Sequence, residues 1–234
     1  MPRRVGDWTL DKLKILDQYL PAYLSATQKA TERIYIDAFA GPGQNLLNRS
    51  DRVIDGSPLI ALDASGPKGT IFDRLFFIED DPEAASELNQ LLSSHDKTNR
   101  AKVIPGEVNQ KLPELMAKLP KRSPTFIFID PEGIDPRWST IEALVPWRTE
   151  FLINFPLGMS IKRNLTSRKI VDYFGTQDVD ILLKQAVGKI DRPLLDFYKN
   201  RLRTIGYGYQ VEDERLVKTS NNQSLYYLIF AGKN

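Results

Sequence analysis

Two kinds of hydrophobic pattern alternate along this chain. Short runs rich in β-branched and aromatic residues, typical of buried strands, recur at 33–39, 74–80, 101–107, 125–133 and 150–156. Segments with apolar residues at helical spacing lie between them, at 55–64, 81–92, 109–119 and 140–147. Apolar strands separated by helices are typical of a parallel sheet that is covered on both faces. The pattern therefore predicts an α/β fold.

The two ends of the chain depart from this alternation. Leucines at helical spacing over 9–29 predict an N-terminal helix, within a helical segment 1–30 that packs on the rest of the protein. A further helix is predicted at 192–204. The strand-like runs 208–220 and 223–232 then flank a short Ser-Asn-Asn stretch, which predicts an antiparallel hairpin beside the strand at 150–156.

Composition narrows the class of protein. Hydrophobic residues make up 41% of the 234 residues, enough for the core of one domain spanning 1–234, since domains commonly hold about 100–200 residues. No run approaches the ~18 apolar residues of a membrane span, and the N-terminus lacks the apolar stretch of a secretory signal. The absence of cysteine excludes disulfides and thiolate metal sites. We expect a cytoplasmic protein without a metal or membrane contact.

The charge balance gives nucleic-acid binding only limited support. Lys and Arg outnumber Asp and Glu by 32 to 30, whereas dedicated nucleic-acid binders usually carry a strong basic excess. A local basic patch stays open, and Lys162, Arg163, Arg168 and Lys169 form one candidate. Such runs usually lie on solvated faces, so nucleic acid remains a candidate partner on weak grounds.

The first predicted strand ends in the most informative stretch, RIYIDAFAGPG at 33–43. Ligands of open α/β sheets bind beyond the carboxyl ends of the strands. Gly41 and Gly43 would let a ligand approach the backbone because no Cβ intervenes, and Asp37 offers acceptors for an ammonium group or bound water. The stretch 44–56 that follows has no regular pattern, so we expect a long loop that could act as a lid or as a binding loop.

Three classes of ligand compete for this turn. A P-loop requires Gly-x-x-x-x-Gly-Lys-Ser/Thr, which GPGQNLLN lacks. A dinucleotide turn needs a third glycine where Leu46 stands and opens directly into a helix, but here the next helix starts only near Ser57. A pyrophosphate would therefore lack a helix N-terminus. The third class is a nucleoside without a phosphate, such as S-adenosylmethionine.

Polar groups at the ends of the next three strands suit the same cofactor. Glu79 can accept hydrogen bonds from both ribose hydroxyls, while one of the two aspartates after it caps the following helix. Glu107 or Asn109 can meet the adenine amino group, although Asn109 could equally cap the helix at 109–119. Asp130, followed by Pro131, ends the fourth strand where a reaction would take place.

The predicted tail hairpin selects among the known α/β folds. A parallel sheet closed by an antiparallel hairpin is the shape of class I methyltransferases, and nicotinamide-binding Rossmann domains do not end in this way. The pattern therefore predicts a Rossmann-like, mostly parallel sheet of seven strands with a C-terminal antiparallel hairpin and helices on both faces.

Six segments of the chain also resemble a known family. They are DWTLDKLKILDQYL, YIDAFAGPG, DGSPLIAL, FFIEDDP, FIDPEG and FLINFP, in the order seen in the three-Cys-motif partner family. The resemblance implies a class I S-adenosylmethionine-dependent methyltransferase-like protein. It implies cofactor roles for Asp37, Gly41, Gly43 and Glu79, a reaction-site role for Asp130, and a partner protein that carries the cysteines of the family name.

The chain departs from the pattern of amino-methylating enzymes after its fourth strand. These enzymes usually carry Asp-Pro-Pro-Tyr or Asn-Pro-Pro-Tyr there, and the aromatic ring stacks on a flipped base. Here Glu132 and Gly133 follow Pro131. Phe155 could supply the ring instead, although core packing is favoured for it.

Two functions from different classes follow from these residues. The first is N-methylation of nucleic acid or a nucleotide-like acceptor, with Asp130 and the Pro131 carbonyl accepting hydrogen bonds from the reacting amine. For a hydroxyl acceptor, Asp130 would be the general base. The second is a methyltransferase-fold binding module with little turnover, which acts as a scaffold for a partner protein.

Overall fold

The computed structural model describes residues 2–156, 168–185, 190–210, 215–218 and 224–233. The chain divides into two compact units, Met1–Phe128 and Ile129–Asn234. The strands that belong to the first unit or end at its boundary are β1 (Arg3–Val5), β2 (Ile34–Asp37), β3 (Gln44–Leu47), β4 (Val53–Asp55), β5 (Arg74–Glu79), β6 (Ala101–Pro105) and β7 (Thr125–Ile129). Its described α-helices are α1 (Trp8–Ala26), α2 (Ser57–Asp63), α3 (Pro82–His95) and α4 (Val108–Met116). The prediction of a single domain spanning 1–234 stays a prediction.

Four of these strands form a parallel sheet in the order β7-β2-β5-β6. β2 lies between β5 and β7, and Tyr35 pairs with Leu75 on one side and with Phe126 on the other. All residues of β2 and β7 are buried, as expected of strands that are covered on both faces. The parallel α/β arrangement predicted from the alternating pattern is therefore confirmed in this unit.

The helices of the first unit begin and pack as their sequences suggest. Asp81 caps α3 because its carboxylate accepts the Glu83 N–H at 2.9 Å, and Pro82 occupies the first turn. One of the two aspartates after Glu79 was expected to cap this helix, and that expectation is confirmed. On α1, the Tyr23 ring packs against Phe72 and Phe126, with ring centroids 5.9 and 5.2 Å apart. The N-terminal helix is thereby fixed to the sheet.

The stretch 44–56 contains regular structure, so the expectation of an irregular loop is wrong. β3 and β4 pair antiparallel, and β1 joins β3 in parallel to complete a three-stranded sheet. This sheet has its own apolar cluster, whose buried members are Leu13, Leu47 and Ile54 with Val5 and Ile60 packed against them. The N-terminal segment 1–30, expected to be helical, accordingly begins with a strand.

The second unit is built around the long strand β8 (Thr149–Pro156). Its other described elements are α5 (Trp138–Ala143), α6 (Arg168–Phe174), α7 (Asp178–Gln185), α8 (Asp191–Thr204), β9 (Tyr209–Gln210), β10 (Arg215–Lys218) and β11 (Ser224–Gly232). β11 pairs antiparallel with β8, β9 and β10. The predicted C-terminal hairpin beside the 150–156 strand is confirmed, although 211–214 and 219–223 lie outside the described residues.

An aromatic cluster forms the interior of the second unit. Tyr198 lies at its centre, with ring centroids 5.1 Å from Tyr173, 5.3 Å from Phe155 and 5.6 Å from Trp138. Phe155 is fully buried, so core packing is the role that the structure gives it.

None of the helices in the described ranges has the length and hydropathy that crossing a membrane requires. Of the candidate basic patch, Lys162 and Arg163 lie outside the described residues, while Arg168 and Lys169 are exposed on α6.

Candidate functional site

The carboxyl ends of the four parallel strands meet around the turn after β2. The strand order reverses beside β2, since β5 and β6 extend the sheet on one side and β7 on the other. The Ala38 N–H donates to the Phe128 carbonyl at 2.9 Å, and the Ala40 N–H donates to the Ile78 carbonyl at 3.0 Å. The glycine turn thus occupies the point at which open α/β sheets bind their ligands.

Glu79 at the end of β5 holds this turn in place. Its Oε2 accepts the Gly41 N–H at 2.7 Å, and its Oε1 accepts the Asp81 N–H at 2.9 Å. Burial raises the pKa of Glu79 above its ordinary value of 4.5, against the two backbone N–H groups, which lower it. A half-buried carboxylate therefore stands at the sequence-predicted place, bonded to the glycine turn.

The raised pKa of Glu79 predicts how stability depends on pH. The folded protein holds this proton more tightly than the unfolded chain, so the carboxyl's contribution to stability is complete below pH 4.5 and is lost as pH rises through the folded pKa. In Glu79→Gln the group does not titrate. We expect the free energy of unfolding of the wild type, relative to this variant, to fall as pH rises above 4.5. Denaturant titrations from pH 4 upward measure the slope; a flat or rising difference would contradict the burial argument.

The two glycines of the turn have different surroundings. Both have positive φ, +64° at Gly41 and +86° at Gly43. A Cβ on Gly41 would meet no atom within 4 Å, whereas a Cβ on Gly43 would lie 2.8 Å from Leu88 and 2.7 Å from Leu91 of α3. Gly41 therefore leaves open space for a ligand, while Gly43 lets α3 approach the turn.

This difference predicts separate effects of two alanine variants. Gly41→Ala is strained by its backbone alone and should lose about 1–2 kcal/mol of stability, the cost of a left-handed non-glycine residue. Gly43→Ala should lose more, because its methyl group also overlaps the leucines of α3. Thermal unfolding of both variants measures the order, and a more stable Gly43→Ala protein would contradict it.

The start of α2 lies beside the glycine turn, contrary to the expectation drawn from its distance along the sequence. The Gly56 N–H donates to the Gly43 carbonyl at 2.8 Å, and α2 begins at the next residue. The intervening β3–β4 hairpin leaves the turn and returns to it. A helix N-terminus therefore does lie near this turn, and the expectation that a dinucleotide would lack one is wrong.

Asp37 is the last residue of β2 and bonds to the turn that follows it. Its side chain is fully buried, Oδ1 accepts the Phe39 N–H at 3.2 Å, and Oδ2 accepts the Tyr35 hydroxyl at 3.4 Å. These bonds make the carboxylate part of the turn that carries Gly41. Its predicted role toward an ammonium group stays a prediction.

Glu107 and Asn109 follow β6, next to Glu79. The Gly106 N–H donates to the Glu79 carbonyl at 2.8 Å, which fixes the start of this segment. Glu107 caps α4, since its Oε2 accepts the Gln110 N–H at 3.1 Å, and Asn109 Nδ2 donates to Glu107 Oε1. The helix is therefore capped by Glu107 and not by Asn109. Glu107 is exposed and Asn109 is half-buried, and both follow the strand at the predicted edge of the sheet.

In the second unit, Asp130 directly follows β7 and is held by a residue that the sequence did not single out. Asn154 of β8 donates from Nδ2 to Asp130 Oδ1 at 2.7 Å. Pro131 is buried, and Glu132 is exposed. A polar residue near the end of the apolar run FLINFP was the available signal for Asn154. Its contact with Asp130, 24 residues away, depends on tertiary structure.

Across the described part of the chain, no group of three or more His, Cys, Asp or Glu side chains could hold a metal ion.

Comparisons with known proteins bear on the fold. No family model matches the sequence, and no curated protein matches it.

Solved structures that resemble this chain include two with high coverage of both chains. Protein LPL1258 from Legionella pneumophila is 14% identical, with a TM-score of 0.58 over 95% of this chain and 84% of its own. Magnesium protoporphyrin IX methyltransferase from Synechocystis, solved with bound SAM, is 11% identical, with a TM-score of 0.51 over 96% of this chain and 81% of its own. The protein thus has a mixed α/β, Rossmann-like fold with a mostly parallel sheet, the fold of these two neighbours.

Proposed function

We propose that this protein is an S-adenosylmethionine-dependent methyltransferase that methylates an amino group of a nucleic acid or a nucleotide-like molecule. The observation that carries the proposal is the pairing of Glu79 with Gly41, which sets a carboxylate against an open glycine turn at the reversal of strand order. The neighbour from Synechocystis was solved with bound SAM, which supports the same cofactor for this fold.

The groups around the turn fit the parts of this cofactor. Each oxygen of Glu79 accepts one backbone N–H and has a second lone pair, so the carboxylate can also accept both ribose hydroxyls. The Cβ position of Gly41 is open, so the cofactor can lie against the backbone. Glu107 and Asn109 at the end of β6 offer acceptors for the adenine amino group. Asp37, at the end of β2, accepts the Phe39 N–H and so helps to hold the start of the turn.

Asp130 and Pro131 are the proposed reaction-site residues. The bound cofactor would supply a methyl group on a positively charged sulfur, which a nitrogen lone pair takes by in-line displacement as the carbon–sulfur bond breaks. The Asp130 carboxylate and the Pro131 carbonyl would accept hydrogen bonds from the amine and aim its lone pair. The surplus proton on nitrogen would pass to Asp130 or to water.

A second candidate is a methyltransferase-fold binding module that acts with a partner protein. The observation that favours it is the pair Glu132 and Gly133, which stand where amino-methylating enzymes carry a second proline and the base-stacking ring; Glu132 is charged and exposed. Phe155 is buried and does not replace the missing ring. The resemblance to the three-Cys-motif partner family suggests a cysteine-bearing protein as that partner.

Calorimetric titration with S-adenosylmethionine, S-adenosylhomocysteine and NAD tests the proposed cofactor. Both adenosyl compounds should bind and NAD should not. NAD is the necessary comparator because α2 begins beside the glycine turn. Binding of NAD without binding of S-adenosylhomocysteine would overturn the proposal.

A further inference from the structure

We infer that Asn154 positions the Asp130 carboxylate for its hydrogen bond to the acceptor amine, an inference that rests on the proposed function. Asn154 lies near the end of β8, where it pairs with Leu228 of β11. Its Nδ2 donates to Asp130 Oδ1 at 2.7 Å, within the range of strong hydrogen bonds to a charged group. The bond connects the residue that follows β7 to the β8–β11 strand pair of the second unit.

The chemistry of the pair fixes the orientation of the amide. An ionised carboxylate only accepts hydrogen bonds, so Asn154 must turn its NH₂ group toward Asp130. Its Oδ1 then points into the protein, and among the described residues this oxygen has no hydrogen-bond partner. The side chain as a whole is only 8% exposed. A buried carbonyl without a partner destabilises the folded state.

The residue paired with Asn154 indicates that packing alone does not require an amide. Leu228, which lies opposite Asn154 on β11, is fully buried and apolar. A leucine of similar volume would fill the same space without an unpaired carbonyl. The amide therefore lowers the stability of the folded state. The interaction that accounts for its presence is the hydrogen bond to Asp130. That bond restricts rotation of the carboxylate about its terminal torsion, which is otherwise broad, and so orients it before the acceptor arrives.

Asn154→Leu separates positioning from a structural role. Asp130 is partly exposed, so water can replace the lost donor, while the unpaired carbonyl is removed. We expect an unchanged or higher melting temperature, unchanged affinity for S-adenosylhomocysteine and unchanged KM for the acceptor. The kcat should fall by about 10- to 100-fold, the range that follows from a misplaced reacting group. A merely structural residue would lower melting temperature and kcat together, and that result, or an unchanged kcat, would overturn the inference.

Thr149→Val is the matched control on the same strand. Thr149 is buried at the other end of β8 and bonds the Tyr207 hydroxyl, so this variant also replaces a buried polar side chain by an apolar one. It should lower the melting temperature and leave kcat unchanged. If it reduces kcat as much as Asn154→Leu, the effect belongs to the strand in general and the positioning role is refuted.

Melting temperatures test the Asn154–Asp130 pair without an acceptor. Asp130→Ala is measured in the wild type and in the Asn154→Leu background, and the two shifts should differ because the residues are coupled. If the wild type transfers methyl groups but Asp130→Ala shifts the melting temperature equally in both backgrounds, the positioning role is wrong and the proposed function stands. If the two shifts differ but the wild type methylates nothing, the proposed function is contradicted, and the positioning role with it.

Discussion

Replacing Glu79 by alanine is expected to weaken the binding of S-adenosylhomocysteine by about 1.5–3 kcal/mol, the scale of hydrogen bonds to a charged group. The variant removes the proposed acceptor for the ribose hydroxyls. It also releases the Gly41 N–H, so the turn proposed to contact the cofactor loses this hydrogen bond. Isothermal calorimetry of the folded variant measures the effect. An unchanged affinity would remove Glu79 from the cofactor site.

Asp81→Ala is the control for Glu79→Ala. Asp81 lies two residues further on and caps α3 through the Glu83 N–H. The loss of a helix cap costs about 0.5–2 kcal/mol of stability. This variant should therefore unfold at a lower temperature than the wild type and bind S-adenosylhomocysteine with the same affinity. If both variants lose affinity equally, the start of α3 controls binding and the carboxylate of Glu79 has no direct role.

Affinity should also depend on pH through Glu79. The ionised carboxylate is the better acceptor for ribose hydroxyls, and burial raises its pKa above the ordinary 4.5. The affinity for S-adenosylhomocysteine should therefore fall as pH drops through this raised pKa. In Glu79→Gln this loss of affinity at low pH should disappear. Calorimetry at a series of pH values compares the two proteins.

The second large effect is expected from Asp130→Ala. An enzyme that uses this carboxylate should keep its affinity for S-adenosylhomocysteine and lose turnover by about 10²-fold or more, the lower end of the range for a group that handles the proton of a reacting atom. Such a pattern marks an interaction made mainly in the transition state. Glu132→Ala, in the same segment, is the control and should keep its turnover. If Asp130→Ala loses melting temperature and keeps turnover, Asp130 only shapes the turn.

The sequence was sufficient to locate the strand ends of the first unit because local signals mark them. Glu79 follows the apolar run of β5, and Gly41 and Gly43 follow that of β2, so each polar or flexible residue stands where a buried strand stops. The separate roles of the two glycines could not be read in the same way. They depend on Leu88 and Leu91, which α3 brings to the turn from more than 40 residues away.

The β3–β4 hairpin and Asn154 were missed for a related reason. β4 has a single buried residue, Ile54, which is too short a pattern to show the alternation of a strand. The sheet forms because β1, from the start of the chain, pairs with β3. The role inferred for Asn154 depends on its hydrogen bond to Asp130, which follows a different strand.

Transfer of a labelled methyl group is the most direct test of the proposed activity. Wild-type protein and Asp130→Ala are each incubated with methyl-labelled S-adenosylmethionine and, separately, with total RNA, DNA and cell extract. We expect label in at least one fraction with the wild type, on a nitrogen atom, and far less with the variant. No label in any fraction, from a protein that binds S-adenosylhomocysteine tightly, would contradict the methyltransferase and favour the binding module.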